Sequence, residues 1–157
     1  MGSVASEFKG IDKLLAKLAK LGKTSALRPA TQAAALHIKG KVDKYPPSTS
    51  ANSPDNESGR WYERGYGSKW RRKDGSVNGR KTSETLGRKW TTQIIAGGAS
   101  AIVGNNVSYG PYVQDEEHQT SFHQARGWKT IQTISREEAD TIMRFYRQQI
   151  ERILSEP

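Results

Sequence analysis

Apolar residues at Ile11, Leu14, Leu15, Leu18 and Leu21 recur at i, i+3, i+4, i+7 and i+10, one stripe of a helix. Lys9, Lys13, Lys17 and Lys20 fill much of the remaining surface, so the segment reads as an amphipathic helix with a solvated lysine face. The stripe holds no Trp or Phe of the kind that anchors a membrane-surface helix. Gly22 suits a left-handed C-cap. A second helix is expected from Arg28-Pro29, because Pro is favoured in a first turn. Ala30, Ala33, Ala34, Ile38 and Val42 then recur at helical spacing, and Tyr45-Pro46-Pro47 ends the run. His37 stands alone in that helix and reads as a surface or half-buried residue, not a ligand.

Beyond Thr85 the period changes. Trp90 to Ala96 is rich in β-branched and aromatic residues, Gly97-Gly98 marks a tight turn, and Ala99 to Val103 returns as the antiparallel partner. Gly104-Asn105-Asn106 is expected to break the strand. Tyr109 to Val113 reads as partly extended, His118 to Gly127 as a polar loop, and Trp128 to Ile134 as a last strand or a bridge. Ser135-Arg136-Glu137-Glu138 has the form of a capping box. Ala139, Ile142, Met143, Tyr146, Ile150 and Ile153 then give a helix ending near Leu154. These elements predict an α+β fold. A small antiparallel β-sheet packs against N-terminal helices and a C-terminal helix, with a long projecting loop or hairpin. The 157 residues fit a single domain, 1–157.

Residues 46–84 read as the projecting part, an extended basic and aromatic loop or hairpin. Ser48 to Gly59 is almost wholly small and polar and cannot bury enough surface to fold alone. Arg60, Trp61, Tyr62, Arg64, Tyr66, Lys69, Trp70, Arg71, Arg72, Lys73, Arg80 and Lys81 follow within 22 residues, with Asp74-Gly75 as a turn signal. Interleaved Arg and aromatic side chains suit stacking on bases and neutralising phosphates. They equally suit protein–protein hot spots. Arg60, Trp61, Tyr62, Arg64, Tyr66, Trp70, Arg71, Arg72 and Lys73 are therefore candidate contacts to a neighbouring subunit or to DNA.

Charge sharpens both readings. The formal net charge is +9. Residues 1–44 hold nine basic and three acidic side chains, 45–90 ten and five, and 91–157 six and eight. A basic front and a slightly acidic back suit nucleic acid, or copies of the chain meeting head to tail.

Catalytic chemistry finds little support. With no Cys there is no disulfide, thiolate or Cys-type metal site. His118 and His123, near Asp115-Glu116-Glu117, match no metal-ligand spacing. No serine lies in a nucleophile elbow, and neither Gly65-Tyr66-Gly67 nor Gly97-Gly98 begins a phosphate loop. No enzyme activity and no cofactor are expected. No run of residues approaches a membrane span, and Met1 to Phe8 lacks an apolar signal core.

One block carries a resemblance. Thr85-Leu86-Gly87-Arg88-Lys89-Trp90-Thr91 leads into the Gly-Gly hairpin, followed by Val103-Gly104-Asn105-Asn106-Val107-Ser108-Tyr109-Gly110-Pro111-Tyr112-Val113-Gln114 and, after a His-containing loop, Gly127-Trp128-Lys129-Thr130. This resembles the tail-completion or head–tail joining proteins of long-tailed bacteriophages, the group that includes the lambda minor tail protein Z. Gly110 stands where that family usually has Ala, and the basic insertion around Trp70 to Lys81 is a further departure. The resemblance implies a virion protein, made in the host cytoplasm, that forms a homo-oligomeric ring at the head-proximal end of the tail, with six copies favoured. Its implied partners are the tail tube or terminator protein and the head connector or stopper protein, with packaged DNA in the channel. Asn105, Asn106, Tyr109, Pro111 and Tyr112 are candidates for a structural corner or subunit interface. Asn tolerates left-handed backbone, Pro fixes a bend, and Tyr buries a ring while its hydroxyl stays wet. The alternative is a basic nucleic-acid-binding module built on the Arg/Trp/Tyr-rich segment.

Overall fold

The two N-terminal stripes form α1, Ile11–Leu21, and α2, Arg28–Val42. They are seen in a computed structural model that describes residues 11–64, 66–79 and 85–156, without the side chains of Ile11, Asp12, Leu14 and Thr24. Gly65, Arg80, Lys81 and the segment Met1 to Lys9 lie outside the described residues. Of the α1 stripe, Leu15 and Leu18 stay about half exposed and Leu21 is half-buried. Gly22 is not a left-handed cap. Its N–H closes on Leu18 O at 2.9 Å, and the chain turns at once into the 3-10 turn Thr24–Leu27.

Helix α2 begins at Arg28 with Pro29 in its first turn, and it buries Ala30, Thr31, Ala34, Ala35, Ile38 and Val42. These fall on one face, and the small alanines let neighbouring backbones come close.

The segment read as an extended loop or hairpin takes the hairpin form with one further strand, a three-stranded antiparallel meander: β1 Arg60–Glu63, β2 Gly67–Arg71 and β3 Val77–Gly79. The Asp74-Gly75 turn forms, with Gly75 at φ 82° and the Asp74 carboxylate accepting from Ser76 N–H at 2.9 Å. The meander holds because Asn52 acts as an extra strand position. Its side-chain oxygen accepts from Tyr62 N–H at 2.7 Å, and its amide donates to Pro47 O at 3.1 Å.

After the helical turn α3, Thr85–Arg88, the second sheet is a hairpin of β4, Trp90–Ile95, and β5, Ser100–Asn105. The connection is the tight turn Ala96–Gly98, with Ala96, Gly97 and Gly98 all at positive φ. Gly104 and Asn105 do not break the strand. They pair with Thr91 and Trp90, and the ladder ends only beyond them. Tyr109 to Val113 is not extended: a turn at Val107–Gly110 feeds α4, Pro111–Gln114, with Pro111 at the first helical position. The polar stretch contains α5, Ser121–Gln124.

Trp128 to Ile134 is no strand. Thr130 caps α6, Ile131–Glu137, accepting from Thr133 N–H at 3.1 Å. The capping box at Ser135 is therefore displaced: Ser135 lies within α6 and donates back to Ile131 O at 2.8 Å. Glu138 instead sits at the joint before α7, Ala139–Ser155. A hydroxyl earlier in the chain had already capped the helix, so the later one had no free N–H to take.

The fold is α+β, with two core clusters. Ile38, Val42, Trp90 and Ile134 join α2, the hairpin and α6, with Val103, Ile131 and Ile142 packed around them. Tyr45, Leu86, Val113 and Trp128 form the second cluster, with Tyr62 and Val107 against it. Among the described residues, no helix is long and apolar enough to cross a membrane.

Candidate assembly surface

Most of the basic side chains of the meander face outward, while its aromatic ones split. Arg60, Arg64, Tyr66, Arg71, Arg72 and Lys73 are exposed. Trp61 is only 4% exposed, so it serves the interior and not a partner. Tyr62 stands edge-on to Trp128, with ring centroids 5.3 Å apart, and Tyr45 and His123 close on the same indole at 5.7 and 5.2 Å. Burial holds the His123 imidazole below its usual pKa. Trp70 is half-buried, and the Tyr66 ring lies 4.3 Å under the Lys69 ammonium, which also pairs with Glu63 at 2.7 Å. Arg64 lies over the Tyr45 ring, and Arg71 approaches Asp55 at 3.8 Å.

Arg126 ties this sheet to the core and had no signal in the sequence. It is 7% exposed, stacks at 3.8 Å on the Phe122 ring and donates to Arg60 O, Phe122 O and Ser58 Oγ. Burial, and secondarily the charge of Arg60, lower its pKa. Guanidinium donors reach two chain segments at once, which a Lys ammonium on this geometry would not. A shallow cleft of about 650 Å³ beside it is lined by Ser50, Ser53, Asp55, Glu57 and Ser58.

The second candidate group divides differently. Asn105 makes the corner: its side-chain oxygen accepts from Val107 N–H at 3.0 Å and its amide donates to Leu86 O at 2.6 Å. Its backbone is not left-handed. Asn106 is exposed. Tyr109 and Tyr112 keep their rings, not only their hydroxyls, largely in water, at 43% and 55% exposure.

The acidic run is engaged locally. Asp115 bonds His118 and Gln132, which hold its carboxyl below the usual range, and it raises the His118 pKa in turn. Glu116 takes both Arg136 nitrogens, at 2.7 and 3.1 Å. Among the described residues, no three His, Cys, Asp or Glu side chains are gathered as metal ligands.

A signal that was legible joins the hairpin to Tyr109 and Tyr112. Residues 90–114 contain no charged side chain in a run of 25, although 26% of the chain is charged. The hairpin register explains what this run displays. Trp90, Thr92 and Ile94 pair with Asn105, Val103 and Ala101 and face α2. Thr91, Gln93 and Ile95 pair with Gly104, Ile102 and Ser100 and face away. Ile102 on that outer face is 52% exposed. An uncharged surface with open Ile and Tyr side chains has the composition of an interface core. No protein-family model, curated protein or solved structure matches the chain.

Proposed function

We propose that this chain is a structural, non-enzymatic protein of a tailed-phage virion. It assembles with copies of itself into a ring, six copies favoured, at the head-proximal end of the tail. There it joins the tail tube or terminator protein to the head connector or stopper protein. The observation that carries this reading is the uncharged run 90–114, which leaves Ile95, Ile102, Tyr109 and Tyr112 exposed on a chain of net charge +9. Like-charged copies approach most easily through a surface that carries no charge. The same residues hold the Val-Gly-Asn-Asn…Tyr-Gly-Pro-Tyr block that resembles the tail-completion family. The exposed cations Arg60, Arg72 and Lys73, with Arg71 beside Asp55, would line the DNA channel of such a ring.

The test is to change Tyr109 and Tyr112 together to Ser. Ring formation is read by native mass spectrometry and head–tail joining by counting joined particles. The expected result is an unchanged circular-dichroism spectrum with at least about tenfold less of both. Unchanged assembly and joining would overturn the assignment.

A nucleic-acid-binding module is the second reading, favoured by the exposed cations of the meander. It is weakened by Trp61 and Tyr62, which are packed inward and cannot stack on bases. It requires DNA affinity that falls steeply with salt.

A further inference from the structure

The hairpin β4–β5 has two edges, and among the described residues neither has a backbone partner. Free edges are ordinarily protected by charged side chains, Pro, a bulge or a covering element, because unpaired N–H and C=O groups invite another strand. Three of those devices, charge, Pro and a bulge, are absent from both strands. WTTQII and SAIVGN contain no charge and no Pro, and their six-residue register runs without a bulge.

On the α2-facing side of β5, Ala101 and Val103 line a cleft of about 300 Å³ whose other walls are Ala34 and Ala35 of α2 and Ile131 and Ile142 of α6 and α7. A second cleft of about 260 Å³, lined by Trp90 of β4 with Val103, Gly104 and Asn105, continues towards Pro111.

We infer that the β5 edge of one copy pairs with the β4 edge of the next, so that each hairpin extends its neighbour's sheet. This rests on the ring reading above and names the seam. A second copy fits the edge for three reasons. β4 and β5 are equal in length, neither brings a charge to the seam, and β5-to-β4 pairing repeated around a ring leaves no edge unpaired. A phosphate backbone would find no cation within either strand.

The experiment uses the full chain. Sedimentation velocity and native mass spectrometry follow self-association of the wild type, Ile102→Lys, Gln93→Glu and an equimolar mixture of the two variants, because Gln93 and Ile102 face each other within one hairpin and only a mixture puts the two charges on different copies. Hydrogen exchange follows the wild type across a concentration series. The expected result is that each variant alone associates at least tenfold more weakly, that the mixture regains association, and that amides of 90–95 and 100–105 gain protection with concentration. A folded Ile102→Lys that assembles like the wild type overturns the inference. So does a wild-type oligomer whose hairpin amides stay unprotected, and that result leaves the ring reading standing. Protected hairpin amides in a particle that stops at two copies keep the strand pairing and remove the ring. A wild type that remains monomeric removes both. Should Ile102→Lys fail to fold, the wild-type exchange pattern decides alone.

Discussion

One missing methyl group sets the position of Tyr45. A Cβ on Gly87 would fall 1.9 Å from Tyr45 Cε1, inside a ring that is 6% exposed and packed against Leu86 and Trp128. The ring has nowhere to go, because Tyr62 and His123 hold the other sides of Trp128. Gly87→Ala is therefore expected to destabilise the chain by about 2 kcal/mol, as overpacked cores do. That corresponds to a fall in Tm of roughly 4–8 °C, readable by calorimetry, and an unchanged Tm would refute the contact. Asn52 and Arg126 act at the same scale. Each uses one side chain to satisfy backbone groups of another segment, Tyr62 for Asn52 and the distant Arg60 for Arg126. Neither was legible, since Asn52 sits in a run of small polar residues and Arg126 in a polar loop, and only the folded chain supplies their partners.

At the scale of elements, the joint between α6 and α7 is fastened to α2 by Glu138. Its carboxylate takes Lys41 Nζ at 2.6 Å and His37 Nε2 at 2.7 Å. These bonds, Lys41 first, lower its pKa from 4.5 to about 2. A carboxyl whose pKa is lower when folded stabilises the fold above its unfolded pKa and loses that contribution as pH falls towards the folded value. Glu138→Gln is therefore expected to lower Tm most above pH 4.5, with the difference narrowing as the pH approaches 2. A difference that stays constant down to pH 2 would show that the carboxylate charge does not matter. The helices, the Gly-Gly hairpin and the Asp74-Gly75 turn were legible because period and turn chemistry are local. The capping box at Ser135 does not start a helix, because Thr130 has the same capping chemistry five residues earlier and Ser135 lies within the helix it caps. Thr130 follows the segment anchored by Trp128 and so reaches the free N–H groups first.

For the whole molecule, the distribution of charge matters more than its total. Copies carrying +9 repel at long range, and salt screens that repulsion over a Debye length of about 10 Å at 0.1 M. Association through the uncharged surface of residues 90–114 should hold or tighten between about 50 and 500 mM salt, measured by sedimentation equilibrium. Weakening by tenfold or more would point instead to a basic front docking on an acidic back. The core is divided between two clusters, and Leu15, Leu18, Ile102 and Met143 remain at least half exposed. Neighbouring copies that cover such surface would add stability by mass action.

The sequence by itself determined the helical stripes of α2 and α7, the hairpin, the α+β class and the absence of thiol chemistry, because period, turn residues and composition act within a few residues. It also displayed the uncharged run. The tertiary structure alone decided that the basic segment is a braced three-stranded sheet, that Trp61 turns inward while Tyr109 and Tyr112 stay in water, and that among the described residues neither hairpin edge has a backbone partner. Those outcomes depend on which distant backbone groups and rings meet, as Asn52 meets Tyr62 and Arg126 meets Arg60. A local pattern carries no information about such meetings.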